Sequence, residues 1–506
     1  MPGEVKDECG VAAVSLKDDT APQLLYKLLL NMQNRGQLST GITTYNANKS
    51  QLIDTRKDLG TVNEVFRTSL NGRTEKIFEK YRGKRGIGHV RYATSGTESK
   101  ALAQPFERHH GKTWKWFSVA FNGNLANYRE LRDELKKSQY CFVHDTDTEI
   151  IMYELMRGMW GKHKPELTDV FHSMTSKIDG AYNIVFINAD GDIVVLRDPL
   201  GFRPLAYNIT GNRVIAASES TALTNTGLLE FKDLKPGTMM TISDSDVSTH
   251  KFAESSRKAH CMFEWVYFSN VGSVIEGSPV YHVRRELGKN LAKMETEKLT
   301  DDHVVISIPS SSEPAASGYA QVVGKPKKEG LVRNRYIGRT FIEGEGKREK
   351  EVALKFTALR EVLRGKKVIA IDDSIVRGNT SKLLVNFLRE RGGAKEVHLR
   401  ISCPPILSPC FYGIDMSTFD ELIAVRHVKD IRTGITEKES ESVAKEIGAD
   451  SVIYQTIPNL VKSIEVPKGD LCLACLNGEY PTMCGSTMCR QAAENSRRQV
   501  KKRTCE

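Results

Sequence analysis

The sequence holds no run of 18 or more apolar residues, and its first residues, MPGEVKDE, are charged where a secretory signal would be apolar. Neither export nor a membrane span is expected, and the chain reads as soluble and cytoplasmic. The G-x-x-x-x-G-K-[ST] loop that cradles nucleoside triphosphates is missing, as are internal repeats and long low-complexity segments. Positive charge is not massed either: 73 Lys and Arg stand among 63 Asp and Glu, and only the tail RRQVKKRTCE concentrates them. With no RNA or DNA motif beside it, the net charge of +10 reads as a solvated tail plus cationic sites for phosphorylated substrates, so no nucleic-acid partner is expected. Ten cysteines without an export signal argue against a disulfide framework and for metal or nucleophilic use of some of them.

What is present divides in two. With 506 residues the chain has room for two or three domains with cores of their own. From Cys9 to about Thr241, short apolar stretches (AYNIVFI, GDIVVLRD, RVIAAS) alternate with turn residues around the helical pattern YELMRGMW, which predicts a mixed domain rich in antiparallel strands. From about Pro279 to Ile464 the strands HVVISIP, KVIAIDD and EVHLRIS alternate with amphipathic helical stretches, the texture of a doubly wound parallel sheet. The polar stretch SDSDVSTHKFAESSRK reads as the connection between them.

The most informative string is KVIAIDDSIVRGNTSKLLVNFLRERGG. The apolar run Val368 to Ile371 ends at two acids, and a loop containing Arg377, Gly378 and Asn379 then opens a helix. Backbone N–H groups at that helix start, with the hydroxyls of Ser374, Thr380 and Ser381, suit a 5′-phosphate. Asp372 and Asp373 suit the ribose 2′ and 3′ hydroxyls, since acids accept from a diol and repel a phosphate. Upstream, VRNRYIGRT sets Arg333, Arg335 and Arg339 around a glycine, which suits a cationic flap over a diphosphate. By spacing alone, Cys472, Cys475, Cys484 and Cys489 form a compact array suited to structural Zn²⁺.

Taken together, IDDSIVRGNTS, NRYIGRTFI, CFYGID and FEWVYFS resemble the glutamine phosphoribosylpyrophosphate amidotransferases, and the resemblance runs from Cys9 to about Thr482. It implies an α+β N-terminal-nucleophile hydrolase (αββα sandwich) glutaminase domain over residues 9–250, joined to an α/β type I phosphoribosyltransferase domain over 260–464. A propeptide (1–8) would precede them and a cysteine-containing segment with a basic tail (465–506) would follow. The implied reaction hydrolyses glutamine and passes its ammonia internally to carbon 1 of phosphoribosyl diphosphate (PRPP), giving phosphoribosylamine and pyrophosphate at the first step of purine synthesis. Implied partners are glutamine, PRPP, nucleotide feedback inhibitors and further copies of the chain in a homotetramer.

The resemblance also assigns residues. Cys9 in DECGVAAV is the nucleophile, and once the eight-residue leader is cleaved its own α-amine, titrating near pH ~8, is a usable base. Arg91 and Asp147 would hold the carboxylate and amino ends of glutamine, with Asn122 and the Gly123 N–H as oxyanion hole. The family's iron–sulfur branch matches Cys261, Cys410, Cys472 and Cys475 as ligands of a [4Fe–4S] cluster. Asp372 and Asp373 would also hold Mg²⁺.

Several positions depart from the family's usual text: Asn34 for His, Ala13 for Gly, Phe121 for His, Ser310 for an acid, Arg333 for Lys, Asn379 for Thr, and SNVGS for ARPDS. Such changes leave room for two alternatives, a paralogue aminating another acceptor and a regulator that senses PRPP or nucleotides without turnover.

Overall fold

The computed structural model describes residues 9–92, 99–211, 213–244, 246–255, 257–334, 354–431 and 434–498. Among these, the N-terminal half builds two antiparallel sheets laid face to face. The strand Gly10–Ser15 runs centrally in the seven-stranded sheet, between Arg213–Ala217 and Arg85–Arg91. In the six-stranded sheet, Phe117–Leu125 pairs with Gly180–Asn188, which pairs in turn with Ile193–Arg197.

The alternation of side chains along each strand explains why the sheets stack. Val11 and Ala13 point inward to meet Ala120, Val185 and Ile187 of the other sheet, while Ala12 and Val14 point outward under the helix Ala21–Asn31. On the far side, Val119 and Phe121 face the helices Asp147–Gly158 and Leu167–Thr175. Two sheets between two helical layers is the αββα arrangement expected. One expectation fails here: Val247–Lys251, inside the stretch taken for a connection, is an edge strand of the six-stranded sheet. An edge strand buries little of its surface and so can be polar, which hid it.

The second half carries a four-stranded parallel sheet in chain order, His303–Ser307, Lys367–Asp372, Glu396–Ile401 and Ser451–Tyr454. Its strands are apolar because helices cover both faces, among them Glu313–Val323 and Asn379–Glu390. The carboxyl ends of its strands are where a doubly wound sheet presents ligand sites. Between the halves lies a short π-helical turn, Glu264–Phe268, within the FEWVYFS string.

The halves are joined by buried polar contacts. Arg35 donates to Glu219 at 2.7 Å and to Glu264, across the junction. Burial would lower the Arg35 pKa, but the carboxylates of Glu264 and Glu219 outweigh it and hold the guanidinium charged. Asn124 Nδ2 donates to the Phe411 carbonyl at 2.9 Å, and Phe202 stacks on Tyr412 with ring centroids 4.3 Å apart.

Candidate active sites

One cavity gathers four of the five residues assigned to glutamine chemistry: Cys9, Arg91, Gly123 and Asp147 line it together with Gln104, Phe106, Phe121, Asn124 and Thr148. Cys9 stands at the start of the central strand, and its Sγ lies 3.8 Å from the Tyr92 carbonyl. Burial pushes the thiol pKa up, while the Tyr92 hydrogen bond and the Arg91 and Arg35 charges pull the other way. Arg91 closes the neighbouring strand, and burial lowers its pKa. Asp147 opens the helix Asp147–Gly158 and accepts from the Leu125 N–H at 2.8 Å. Burial pushes its carboxyl up to about 7. A buried acid raised in this way is eased by a bound ammonium.

Gly123 has to be glycine: a Cβ there would stand 1.9 Å from the Ala181 carbonyl oxygen on the paired strand. Asn122, the fifth residue, is buried and absent from the cavity lining, and its Nδ2 donates to Ser218 Oγ at 3.3 Å. That hydroxyl also accepts from the Val11 N–H at 3.0 Å. Ser218 thus anchors both the strand of Cys9 and the amide of Asn122. No sequence motif pointed to it, nor to Gln104, whose amide bridges the Phe121 N–H (2.7 Å) and the Thr148 hydroxyl (3.1 Å).

At the transferase sheet, Asp372 ends its strand and accepts from the Asp373 N–H at 2.9 Å. Asp373 accepts from the hydroxyls of Ser311 (2.5 Å) and Ser374 (2.8 Å). Gly378 takes a left-handed φ of 78° as the cap of the helix Asn379–Glu390. A Cβ there would come within 2.4 Å of Ile423 Cδ1. Asn379, Thr380 and Ser381 form the first turn of that helix.

Arg377 is buried and donates to Glu421 at 2.7 Å and to the Asp415 carbonyl at 2.8 Å, so its side chain braces the loop. Arg333 is exposed at the end of the strand Leu331–Arg333, whose first residue, Leu331, is buried. Arg335 and Arg339 lie outside the described residues.

A second cavity is lined by Cys261, Cys410, Cys472 and Cys475, with Phe202, Arg203, Tyr412, Ile414 and Ala474. The parallel pairing of His260–Cys261 with Leu471–Cys472 sets Cys261 beside Cys472. Burial and the neighbouring thiols push Cys472 and Cys475 up. Cys484 and Cys489, of the compact spacing, sit on the helix Met483–Arg497 outside this lining. Among the described residues no group of three or more His, Cys, Asp or Glu is drawn together at metal-holding distance, so the four thiols share a cavity without converging on a point.

A glutamine amidotransferase domain family matches residues 74–233. An amidophosphoribosyltransferase from Methanothermobacter thermautotrophicus is 40% identical over 500 residues, 97% of this chain and 98% of that protein. One from Bacillus subtilis is 37% identical, over 95% of this chain and 96% of its own length. The chain belongs to the amidophosphoribosyltransferase family. The solved structure of the Bacillus subtilis glutamine PRPP amidotransferase complexed with ADP and GMP is similar, with a TM-score of 0.81 and 36% identity, covering 94% of this chain and 98% of that one. A second, described as the allosteric regulatory enzyme of purine biosynthesis, has a TM-score of 0.82 and 35% identity over 95% of this chain and 99% of that one.

The positions read in the sequence as departures fall in definite places. Phe121 forms cavity wall, and Ala13 packs between the two sheets. Ser310 precedes Ser311, which carries the contact to Asp373, and Asn379 is exposed at the helix start. Asn34 and the segment Asn270 to Ser273 meet at one buried carboxylate, Glu219.

Proposed function

We propose that this protein is an amidophosphoribosyltransferase, converting glutamine and PRPP to 5-phosphoribosylamine, glutamate and pyrophosphate at the entry to purine synthesis in the cytoplasm. The observation that carries the reading is the single cavity holding Cys9, Arg91, Gly123 and Asp147 in a chain similar to these enzymes over nearly its whole length. No helix among the described residues is long and apolar enough to cross a membrane.

In this reading the leader is cleaved between Glu8 and Cys9, and the freed α-amine takes the thiol proton as Sγ adds to the glutamine carboxamide. Arg91 holds the substrate carboxylate and Asp147 its ammonium, while Asn122 and the Gly123 N–H take the oxyanion. Collapse expels ammonia, and water then releases glutamate from the thioester. An enclosed path to the second site keeps the ammonia unprotonated and nucleophilic. There it bonds to carbon 1 of PRPP as the carbon–oxygen bond to pyrophosphate breaks, and the nitrogen sheds a proton. Asp372 and Asp373 hold the ribose hydroxyls, the turn Ser374 to Ser381 holds the 5′-phosphate, and Arg333 and Arg339 meet the diphosphate.

Asp372 and Asp373 are also the residues that would hold Mg²⁺, which when bound neutralises diphosphate charge. The shared cavity is where Cys261, Cys410, Cys472 and Cys475 would hold a [4Fe–4S] cluster, because cysteines from three distant segments line one buried space; burial raises the thiol pKa values and disfavours bare thiolates there, so the metal would have to supply the compensating charge. Such a cluster would pin the junction, the transferase half and the C-terminal segment together. Iron, sulfide and zinc assay after anaerobic purification tests this, and zinc without iron would replace it. Nucleotide inhibition and a homotetramer complete the reading.

The deciding assay follows glutamate and pyrophosphate release with glutamine, PRPP and Mg²⁺, and then the mass of the product. A product other than phosphoribosylamine, or no turnover, would overturn the reading. Intact-mass analysis of active protein settles the leader.

A further inference from the structure

The strand Phe117–Leu125 has a partner along the whole of one edge and along only part of the other. Gly180–Asn188 pairs with it throughout, whereas Phe106–Arg108 pairs with it only from Phe117 to Val119. The next pair of that shorter ladder would set Gln104 against Phe121, and there the backbone bonds give way to side chains. Gln104 Oε1 accepts from the Phe121 N–H at 2.7 Å, and His89 Nε2 donates to the Phe121 carbonyl at 3.1 Å. Two side chains thus stand where a paired strand would.

The backbone groups of successive residues face opposite edges of a strand, so those of Phe121, Gly123 and Leu125 face the same edge. Phe121 is tied as just described, and the Leu125 N–H is accepted by Asp147 at 2.8 Å. Gly123 lies midway between the two ties and lines the cavity together with Cys9. The direction of its N–H is therefore set from both sides.

These ties also lead to the residues assigned to the two charged ends of glutamine. Gln104 Nε2 donates at 3.1 Å to the hydroxyl of Thr148, which follows Asp147 at the start of the helix Asp147–Gly158. His89 belongs to the strand that Arg91 closes. The His89 ring is fully buried, and its Nδ1 has no hydrogen-bond partner among the described residues, so the bond to Phe121 is the polar contact it makes there. Burial lowers its pKa to about 3, which keeps the ring neutral with its proton on Nε2.

We propose that His89 and Gln104 are positioning residues for the Gly123 N–H. They hold the open edge of its strand so that this donor meets the carboxamide oxygen as Cys9 Sγ bonds to the carbon and the carbonyl π pair moves onto that oxygen. The proposal rests on the reading of Gly123 as an oxyanion donor and of Arg91 and Asp147 as the grips on the substrate's charges. Because the grips are left in place, loss of either positioning residue should slow the addition step and spare binding.

The test uses Gln104→Met and His89→Leu, which remove the bonds at similar volume, and His89→Gln, whose amide N–H can reach the same carbonyl. Glutamate release is counted per chain that intact mass shows to begin at Cys9. A misplacement of about 1 Å can cost about 10²-fold in rate, and a lost oxyanion donor about 10²- to 10³-fold. Gln104→Met and His89→Leu should each lower kcat by about 10- to 100-fold with the glutamine KM within about threefold of wild type, and His89→Gln should regain most of the loss. Ammonia-dependent pyrophosphate release reports on the fold and should fall no more than about twofold. An unchanged kcat in either Gln104→Met or His89→Leu, a rise in KM alone, a parallel fall in both activities, or a His89→Gln variant as slow as His89→Leu would overturn the positioning role. Wild-type protein that releases no glutamate would instead overturn the functional reading, and the proposal with it.

Discussion

Asp147 in the proposed glutamine pocket and Asp373 in the proposed phosphoribosyl loop are both acids, and their surroundings are opposite. Asp147 accepts from a backbone N–H in a cavity whose burial lifts it to about 7. Asp373 already has the hydroxyls of Ser311 and Ser374 on it, and the loop's own cation, Arg377, is bonded to Glu421. The pocket holds a cation and an anion in a desolvated wall, which suits a zwitterion that brings the complement of each. The acid and the cation of the loop already have partners within the chain. In the proposed reading one site is completed by its ligand's charges, whereas the other has these charges paired beforehand.

Breaking each side separately should give separable losses. Cys9→Ala is expected to abolish glutamate release, by roughly 10³-fold or more, while ammonia-dependent pyrophosphate release persists. Loss of both activities would mean that the sites are not independent. Asp373→Asn should do the reverse: pyrophosphate release from either nitrogen source falls, on the order of 10²-fold if the acid grips the ribose in the transition state, and glutamate release without PRPP stays. Arg91→Lys keeps the charge but loses the two-pronged grip on a carboxylate, so the glutamine KM should rise by about 10- to 100-fold with kcat less affected. A matching loss in ammonia-dependent activity would place Arg91 outside glutamine binding.

The transferase side was the more legible of the two in sequence, because its site is local. Strand, acid pair, loop and helix start follow one another from Val368 to Ser381, and the parallel sheet could be read from its apolar strands. The residues proposed for glutamine, Cys9, Arg91, Asn122 and Asp147, come from separate strands and a helix that lie far apart in the sequence, so their grouping comes from family resemblance. What stayed hidden were partners without a signature of their own, such as Ser218, Gln104 and Ser311, each a common residue made important by the backbone it faces. The partner of Arg377 is hidden in the same way, because only the fold brings Glu421 to it.

The gentlest way to sharpen the contrast is pH. The Asp147 carboxyl is pushed up to about 7 by burial. Glutamine's ammonium favours the ionised form, so binding is fully supported above that pH and weakens as pH falls through it. Below 7 the glutamine KM should climb by up to about tenfold per pH unit, the limit for one proton competing with one ligand. Without glutamine the sign reverses. An acid whose folded pKa exceeds the unfolded ~3.9 costs stability as pH rises from about 4 to 7, and bound glutamine offsets that cost. Glutamine should therefore raise the thermal midpoint more at pH 8 than at pH 6. Asp147→Asn should flatten both dependences, whereas the PRPP KM should show no inflection from this group. A glutamine KM with the same pH slope in Asp147→Asn would move the titrating group elsewhere and leave the two acids less different than their surroundings indicate.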